Sequence, residues 1–302
     1  MSSRLSRRTW ICLLASSTAL YTVAMAWGQE PRDQLKEPVF RVTKRIESDE
    51  RKPNHPLDQA IKIAEDGLKR IRTEVADYTC TIVKQERIKG ELLPTEHMRA
   101  EIRNRKTGET QAAQPFSVYL NFLKPDTIQG REVMYVEGKN GGKLVGHEAK
   151  GVEKLLGDVW LKPEGMLAMR GQRYPITEIG IENLVDKLIE RATSDRKSDP
   201  KALSTQVRYI EKAKINGRSC LVIEVTHPVQ KPYFDFHIAR VFIDDQLQVP
   251  VRYAAYSWPT TPGGRPVLEE AYTYLDMKMN VGLKENDFDH EKRFRQIRVA
   301  RQ

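Results

Sequence analysis

The feature that most constrains the fold is a change in the spacing of apolar residues after position 76. Between positions 57 and 76 they recur every three or four residues, the spacing of one face of an α-helix. The opposite positions are charged, and Pro56 fits the first helical position, where the missing N–H costs nothing. We therefore predict an amphipathic helix over residues 57–76. Its apolar stripe is Leu57, Ile61, Ala64, Leu68, Ile71 and Val75.

Beyond this helix apolar and polar side chains alternate, which is the pattern of strands. The Asn140-Gly141 pair supplies the positive φ angles of a tight hairpin turn. The pattern is clearest over residues 116–123, where Phe116, Val118, Leu120 and Phe122 fall on one face. Strands are predicted at 78–88, 98–105, 116–123, 131–136, 143–146, 205–213, 218–226, 238–243, 249–258 and 268–279.

A second helix interrupts the strands. It is predicted over residues 177–191, with Thr177 as its N-cap. Sequential antiparallel strands with few helices favour the α+β class over a parallel, doubly wound sheet. We predict one domain over residues 56–290, built from an antiparallel sheet covered by helices.

The two ends of the chain differ from this domain. Residues 2–9 are basic, residues 10–26 are apolar and uncharged, and Ala24-Met25-Ala26 resembles a cleavage site. Residues 1–26 are therefore predicted to be a secretory signal peptide, with an uncleaved membrane anchor as the alternative. We expect a periplasmic or secreted protein, exported by the Sec or the twin-arginine route. Residues 27–55 are predicted to be a polar linker, and residues 291–302 a basic tail.

Charge and cysteine content narrow the function classes. The net charge of +9 falls to +6 without Arg4, Arg7 and Arg8 of the predicted signal, which is ordinary for a soluble surface and does not favour a nucleic-acid scaffold. Three cysteines are too few for a disulfide-rich miniprotein. Once the signal is removed, Cys80 and Cys220 remain in an oxidising compartment. We predict a disulfide between them, with two buried free thiols as the alternative.

No known catalytic motif is present in the sequence. We find no nucleophile elbow, zincin motif, phosphate-binding loop or dinucleotide fingerprint. His227 and His237 flank one loop but lack a third ligand, so we interpret them as surface residues and predict no metal site and no cofactor. The acidic residues around Phe288 are interpreted as a capped terminal turn anchored by that side chain. An enzyme is therefore unsupported, although paired carboxylates would be invisible without a fold.

Short motifs over most of the predicted mature chain give a family resemblance. The sequence resembles an uncharacterised family of exported bacterial proteins, a domain of unknown function. That family is in turn similar to the LolA/LolB-like carriers of the bacterial envelope. The motifs are Asp77-Tyr78-Thr79-Cys80, Lys84-Gln85-Glu86-Arg87, Pro115-Phe116-Ser117-Val118-Tyr119, Gly217-Arg218-Ser219-Cys220, Ile243-Asp244, Val249-Pro250-Val251-Arg252-Tyr253 and Asp287-Phe288-Asp289.

The resemblance implies a LolA-like fold, in which a curved, incomplete antiparallel barrel is closed by helices over an apolar cavity. It also implies a non-catalytic envelope protein that binds a lipid, an acylated protein or another apolar ligand. We expect Phe116, Val118, Leu120 and Phe122 to line that cavity or the opposite core, and Trp160, Met166 and Met169 to lie at its rim. The alternatives are an envelope enzyme with a carboxylate or histidine site, and a structural or interaction protein without a cavity that uses the sheet edge or the basic tail. The basic tail is also a candidate for peripheral contact with anionic membrane.

Overall fold

A computed structural model describes residues 55–107, 113–151, 154–155 and 157–294. The predicted signal peptide, almost all of the predicted linker and the tail beyond Phe294 lie outside these residues. The helix α1 (Leu57–Glu74) matches the predicted first helix.

The second helix, α2 (Ile181–Ser198), begins later than predicted. Thr177 lies in a short 3₁₀ helix (Ile176–Glu178) and is not the N-cap. Gly180 precedes α2 with a φ of +107°, which separates the two helices. The buried hydroxyl of Tyr78 accepts the Ile181 N–H at 2.9 Å, so a side chain from the sheet caps this helix.

Twelve strands among the described residues form one sheet, and every neighbouring pair is antiparallel. The Asn140-Gly141 turn joins β5 to β6 as predicted, with φ angles of +56° and +61°. The strands are β1 (Asp77–Ile88), β2 (Glu91–Leu92), β3 (Glu96–Arg103), β4 (Ser117–Lys124), β5 (Glu132–Val136), β6 (Leu144–His147), β7 (Asp158–Leu161), β8 (Gln206–Ile215), β9 (Arg218–Thr226), β10 (Ile238–Asp244), β11 (Pro250–Ser257) and β12 (Val267–Met279).

The first strand of the chain lies in the middle of the sheet. The order is β7-β6-β5-β4-β3-β1-β12-β11-β10-β9-β8, and the short β2 pairs with β1. Two meanders therefore meet where β1 pairs with β12, and β7 and β8 are the edges of an open sheet. The predicted α+β class, with an open antiparallel sheet and helices, is confirmed.

The main core lies between the two helices and one face of β1, β3 and β4. Leu68 and Ile71 of α1 and Ile181 and Val185 of α2 are buried in it. Side chains two residues apart on each strand meet them, as the alternation of a strand requires. These sheet residues include Tyr78, Cys80, Ile82, Met98, Ala100, Ile102, Phe116, Val118, Leu120 and Phe122.

The opposite face of β4, β5 and β6 is covered by the C-terminal segment. Phe288 and Phe294 are buried there against Tyr119, Met134 and Val145. The prediction that Phe288 anchors a capped turn is confirmed, because the carboxylate of Asp287 accepts the Lys284 N–H at 2.7 Å. Residues 290–294 are helical, so the packed chain extends past position 290 to Phe294.

The predicted disulfide is wrong. Cys80 and Cys220 are both free and buried. Cys80 lies on β1 and Cys220 on β9, and β12, β11 and β10 lie between them. Four strand spacings are roughly 19 Å, whereas a disulfide needs Cα atoms within about 7 Å.

The interpretation of His227 as a surface residue is also wrong. Its side chain is fully buried, and Nε2 lies 3.2 Å from Oδ2 of the buried Asp195 on α2. Its ring also stacks on Phe234, with centroids 3.6 Å apart. This contact joins the end of α2 to the sheet and accounts for the histidine structurally.

Candidate functional site

A large cavity lies between the helices and the sheet. Its volume is about 1190 Å³, above the roughly 300–1,000 Å³ of most ligand pockets. Both helices and the segment 163–180 between β7 and α2 form one wall of it, through residues such as Ile63, Ala64, Ala168 and Leu188. The sheet forms the other wall.

The sheet must curve to enclose this space. Side chains from ten strands line the same cavity, from Val159 on β7 to Ile223 on β9. In a flat sheet these two strands would lie roughly 43 Å apart. The cavity is thus on the concave side of an incomplete barrel.

Apolar side chains line both ends of the cavity. Leu120, Phe122, Val133 and Leu161 line the end formed by β4 to β7. The end formed by β9 to β11 is lined by a second apolar cluster, which is Val225, Phe236, Ala239 and Ala255. Each end can therefore take up hydrocarbon.

The structure separates the predicted site residues into three groups. Leu120 and Phe122 line the cavity. Phe116 and Val118, on the same face, are buried in the core beside the helices. Trp160 lies between Val159 and Leu161, which both line the cavity, so its ring is on the other face of the sheet. There it packs edge-on against His290, with ring centroids 4.9 Å apart.

The two predicted rim methionines lie in the segment that follows β7. Met166 is 90% exposed, and Met169 is half-buried. Their neighbour Leu167 is 69% exposed and also lines the cavity, which places this part of the segment at the cavity mouth. Whether these methionines contact a ligand stays a prediction.

A polar cluster lies in the cavity lining near the middle of the sheet, between the two groups of apolar side chains. Glu86 on β1 and Glu270 on β12 are register partners, and they are only 4% and 5% exposed. The Tyr272 hydroxyl lies between them, 2.5 Å from Oε1 of Glu86 and 3.1 Å from Oε2 of Glu270. The cluster has ten members, all of which line the cavity. They are Lys84, Glu86, Glu96, Gln172, Arg173, Tyr174, Tyr253, Glu269, Glu270 and Tyr272.

The cluster also holds the segment before α2 against the sheet. Arg173 donates its backbone N–H to Glu86 at 3.1 Å, and its guanidinium lies 3.3 Å from Glu270. Tyr174 contacts Glu270 at 3.3 Å. Lys84 donates to the side chain of Gln172 and pairs with Glu96 at 2.9 Å.

Burial changes the acidity of these groups. It raises the pKa of Glu270 above its usual value, and the nearby charge of Glu86 adds to the effect while Arg173 opposes it. Burial and the Glu270 charge raise the pKa of Tyr174 to about 12, and they raise that of Tyr272 further. The tyrosines therefore remain neutral hydrogen-bond donors at physiological pH.

Sequence reasoning missed this cluster. The alternation of β1 places Lys84 and Glu86 on the same face as the buried Ile82, which was a readable signal. The meeting of Glu86 with Glu270 was not readable, because it depends on the pairing of β1 with a strand nearly two hundred residues away.

The fold and the cavity together define a class of protein, an open antiparallel half-barrel with helices closing over a ligand-sized space. Residues 75–294, most of the chain, match the family described as a protein of unknown function, DUF1571. The protein belongs to that family, and the predicted membership of an uncharacterised family is confirmed. No curated protein matches the chain.

Solved structures with similar folds share little sequence with the chain. A DUF1329 family protein from Desulfovibrio piger is 11% identical, with 79% of this chain and 99% of that one covered and a TM-score of 0.38. A LolA superfamily protein from Nitrosomonas europaea is 10% identical, with 76% and 97% covered and a TM-score of 0.30. The Mycobacterium tuberculosis lipoprotein LppX is 11% identical, with 75% and 98% covered and a TM-score of 0.37.

Two further properties concern only the residues that the structure describes. No helix there combines the length and the apolarity that crossing a bilayer requires. No group of three or more histidine, cysteine or acidic side chains there is arranged to hold a metal ion.

Proposed function

We propose that the protein holds the hydrocarbon chain of a lipid or of an acylated protein in the cavity between its helices and its sheet, without chemical change to it. The observation that carries this proposal is the cavity itself, which has about 1190 Å³ of space and apolar side chains at both ends. A pocket of this kind is the usual form of a small-molecule site.

The energetics favour a long chain. Each CH₂ group that leaves water contributes roughly 0.8 kcal/mol. A long acyl chain would therefore gain more than the several kcal/mol that association costs in lost freedom of motion. A short ligand would not, so the proposal specifies a long chain.

A direct experiment is titration of the delipidated protein with a fluorescent monoacylglycerol. We expect saturable binding, which Leu120→Glu or Phe122→Glu should weaken at least about tenfold, because each places a charge on the apolar wall. Circular dichroism would establish that each variant folds. The matched control is Leu203→Glu, at an 82% exposed position outside the cavity lining, which should bind as the wild type does.

A second variant fills the cavity without adding charge. Gly146 on β6 lines the cavity, and a Cβ atom there would be no closer than 4.0 Å to any neighbour. Gly146→Leu should therefore fold normally and yet compete with the ligand for space. The proposed function is refuted if the delipidated wild type shows no saturable binding and if mass spectrometry finds no lipid co-purified with the protein from native membranes.

We also propose that the protein works outside the cytoplasm, after removal of residues 1–26. The support is the basic, apolar and small-residue order of that segment. N-terminal sequencing of the native protein should place the mature end at or near Trp27. An intact Met1 in a cytosolic fraction would contradict export.

A further inference from the structure

We infer that Glu86, Glu270 and Tyr272 form the subsite for the polar group of the bound ligand, and that this group is a hydrogen-bond donor, a hydroxyl or an amine, and not a carboxylate. The inference rests on the proposed function and adds the chemical class of the ligand. It concerns the polar cluster described above, which lies on the cavity wall between the two groups of apolar side chains.

The first step is that enclosing hydrocarbon does not require these groups. Glu86 and Glu270 face each other across β1 and β12 with 4% and 5% exposure. Removing carboxylates from water is costly, and well-packed apolar residues in their place are often neutral or stabilising. A wall that only had to hold hydrocarbon would not need two of them side by side.

The second step is that Glu270 is loosely bonded. Its contacts with Tyr272, Arg173, Tyr174 and Tyr253 range from 3.1 to 3.3 Å. Hydrogen bonds to a charged group are usually about 2.7–2.9 Å. These four donors already match the roughly four acceptor positions of a carboxylate, so a ligand donor would bind Glu270 by replacing one of them with a shorter hydrogen bond.

The third step is the balance of charge. The cluster contains four carboxylates but only two cationic side chains, Lys84 and Arg173. A third cationic side chain, Arg87, lies outside the cavity lining, and its Nε is 4.0 Å from Oε1 of Glu269. The excess of acidic groups in the cluster favours a hydroxyl or an ammonium group over a carboxylate, and water screens Glu86 and Glu270 little at 4% and 5% exposure.

The rival account gives the cluster one role, which is to hold Arg173 and Tyr174 against the sheet. The two accounts differ in a measurable way. A purely structural role affects every ligand that enters the cavity, and by a similar factor. Recognition of a donor affects the ratio of affinities between ligands that share one chain and differ in their polar group.

The experiment measures that ratio with dodecanol, dodecylamine and dodecanoate, each displacing the fluorescent monoacylglycerol at a pH where the dodecanoate is ionised. In the wild type we expect the alcohol and the amine to bind roughly tenfold more tightly than the carboxylate. Glu270→Gln should reduce that preference at least about fivefold, because it replaces a charged acceptor by a neutral one. The matched control is Glu211→Gln, at an exposed position on β8.

Each outcome decides between the accounts. Equal affinities in the wild type, an unchanged preference in Glu270→Gln, or an equal loss for all three ligands would overturn the inference. If Glu270→Gln fails to fold by circular dichroism, Glu86→Gln provides the same measurement from the other strand. A complete absence of probe binding would refute the proposed function itself, whereas binding without preference refutes only the inference.

Discussion

At the scale of single residues, Tyr78 and Gly180 fix the approach of α2 to the sheet. Tyr78 is fully buried, and its hydroxyl accepts the Ile181 N–H. A Cβ atom on Gly180 would lie 2.8 Å from that hydroxyl, and the φ of +107° is strained for any other residue. The glycine is therefore needed both for its backbone conformation and for the space beside it.

Gly180→Ala should lower the free energy of unfolding by about 2–3 kcal/mol, from backbone strain and the clash with Tyr78. Urea denaturation measures this difference. The same substitution at Gly67, in α1, should raise the free energy by up to about 1 kcal/mol, because nothing lies within 4 Å of the new methyl group and alanine favours the helix. Equal effects at the two sites would contradict the role given to Gly180.

A second prediction at this scale concerns pH. The pKa of Glu270 is raised from its usual 4.5 by burial, despite the opposing contacts of Arg173, Tyr174 and Tyr272. As the pH rises above 4.5, the unfolded chain loses its proton at this position before the folded chain does. The folded state therefore loses stability until the pH exceeds the raised pKa of Glu270 in the folded protein. In Glu270→Gln this loss should disappear.

Thermal unfolding between about pH 5 and pH 8 would show the difference as a smaller fall in Tm for the variant. Glu224 and Asp244 do not interfere with this measurement. Arginine contacts lower their pKa values, so their contributions to the stability of the folded state change only at pH values below the usual pKa range of carboxyl groups. Parallel pH profiles for the wild type and Glu270→Gln would contradict the assignment.

At the scale of secondary-structure elements, sequence periodicity predicted most of the fold. The strands from β3 to β5 begin and end within about two residues of their predicted limits, because alternation survives wherever one face is buried. The start of α2 was misplaced, because the capping atom is the Tyr78 hydroxyl, about a hundred residues away. Local patterns carry no signal for a cap of that kind.

The C-terminal helical turn is the element whose importance was underestimated. Phe294 is 1% exposed and packs with Phe288 on the face of the sheet opposite the cavity. Phe294→Ala should reduce the free energy of unfolding by about 3–5 kcal/mol and leave the relative affinities of ligands unchanged. Calorimetry together with the binding titration would test both statements, and a wild-type stability in the variant would contradict the packing.

At the scale of the whole molecule, the separation of Cys80 from Cys220 can be tested chemically. Burial raises the pKa of both thiols, that of Cys220 to about 11, so few thiolates form at neutral pH. In the chain that starts at Trp27, we expect no rapid labelling of the native protein. Two reactive thiols should appear after unfolding without reductant, whereas no labelled thiols would indicate a disulfide.

The candidate site follows the same division between local and distant information. Leu120 and Phe122 were predicted because one strand and its alternation are enough to find them. The polar cluster was not, since it is assembled from β1, β12 and the segment before α2. The apolar wall could be predicted from alternation within single strands. The polar groups could not, because their position depends on how distant strands pair.

The pairing of β1 with β12 also sets the order in which the molecule can be completed. Tyr78 lies opposite Met279, so a chain that emerges from its N-terminus must wait for almost its last described residues before the two meanders join. Until then β1 has an open edge at the centre of the future sheet, the kind of edge that pairs wrongly with other chains. Such distant contacts form slowly, and a chain cut short before β12 would be left as two unjoined halves with no cavity between them.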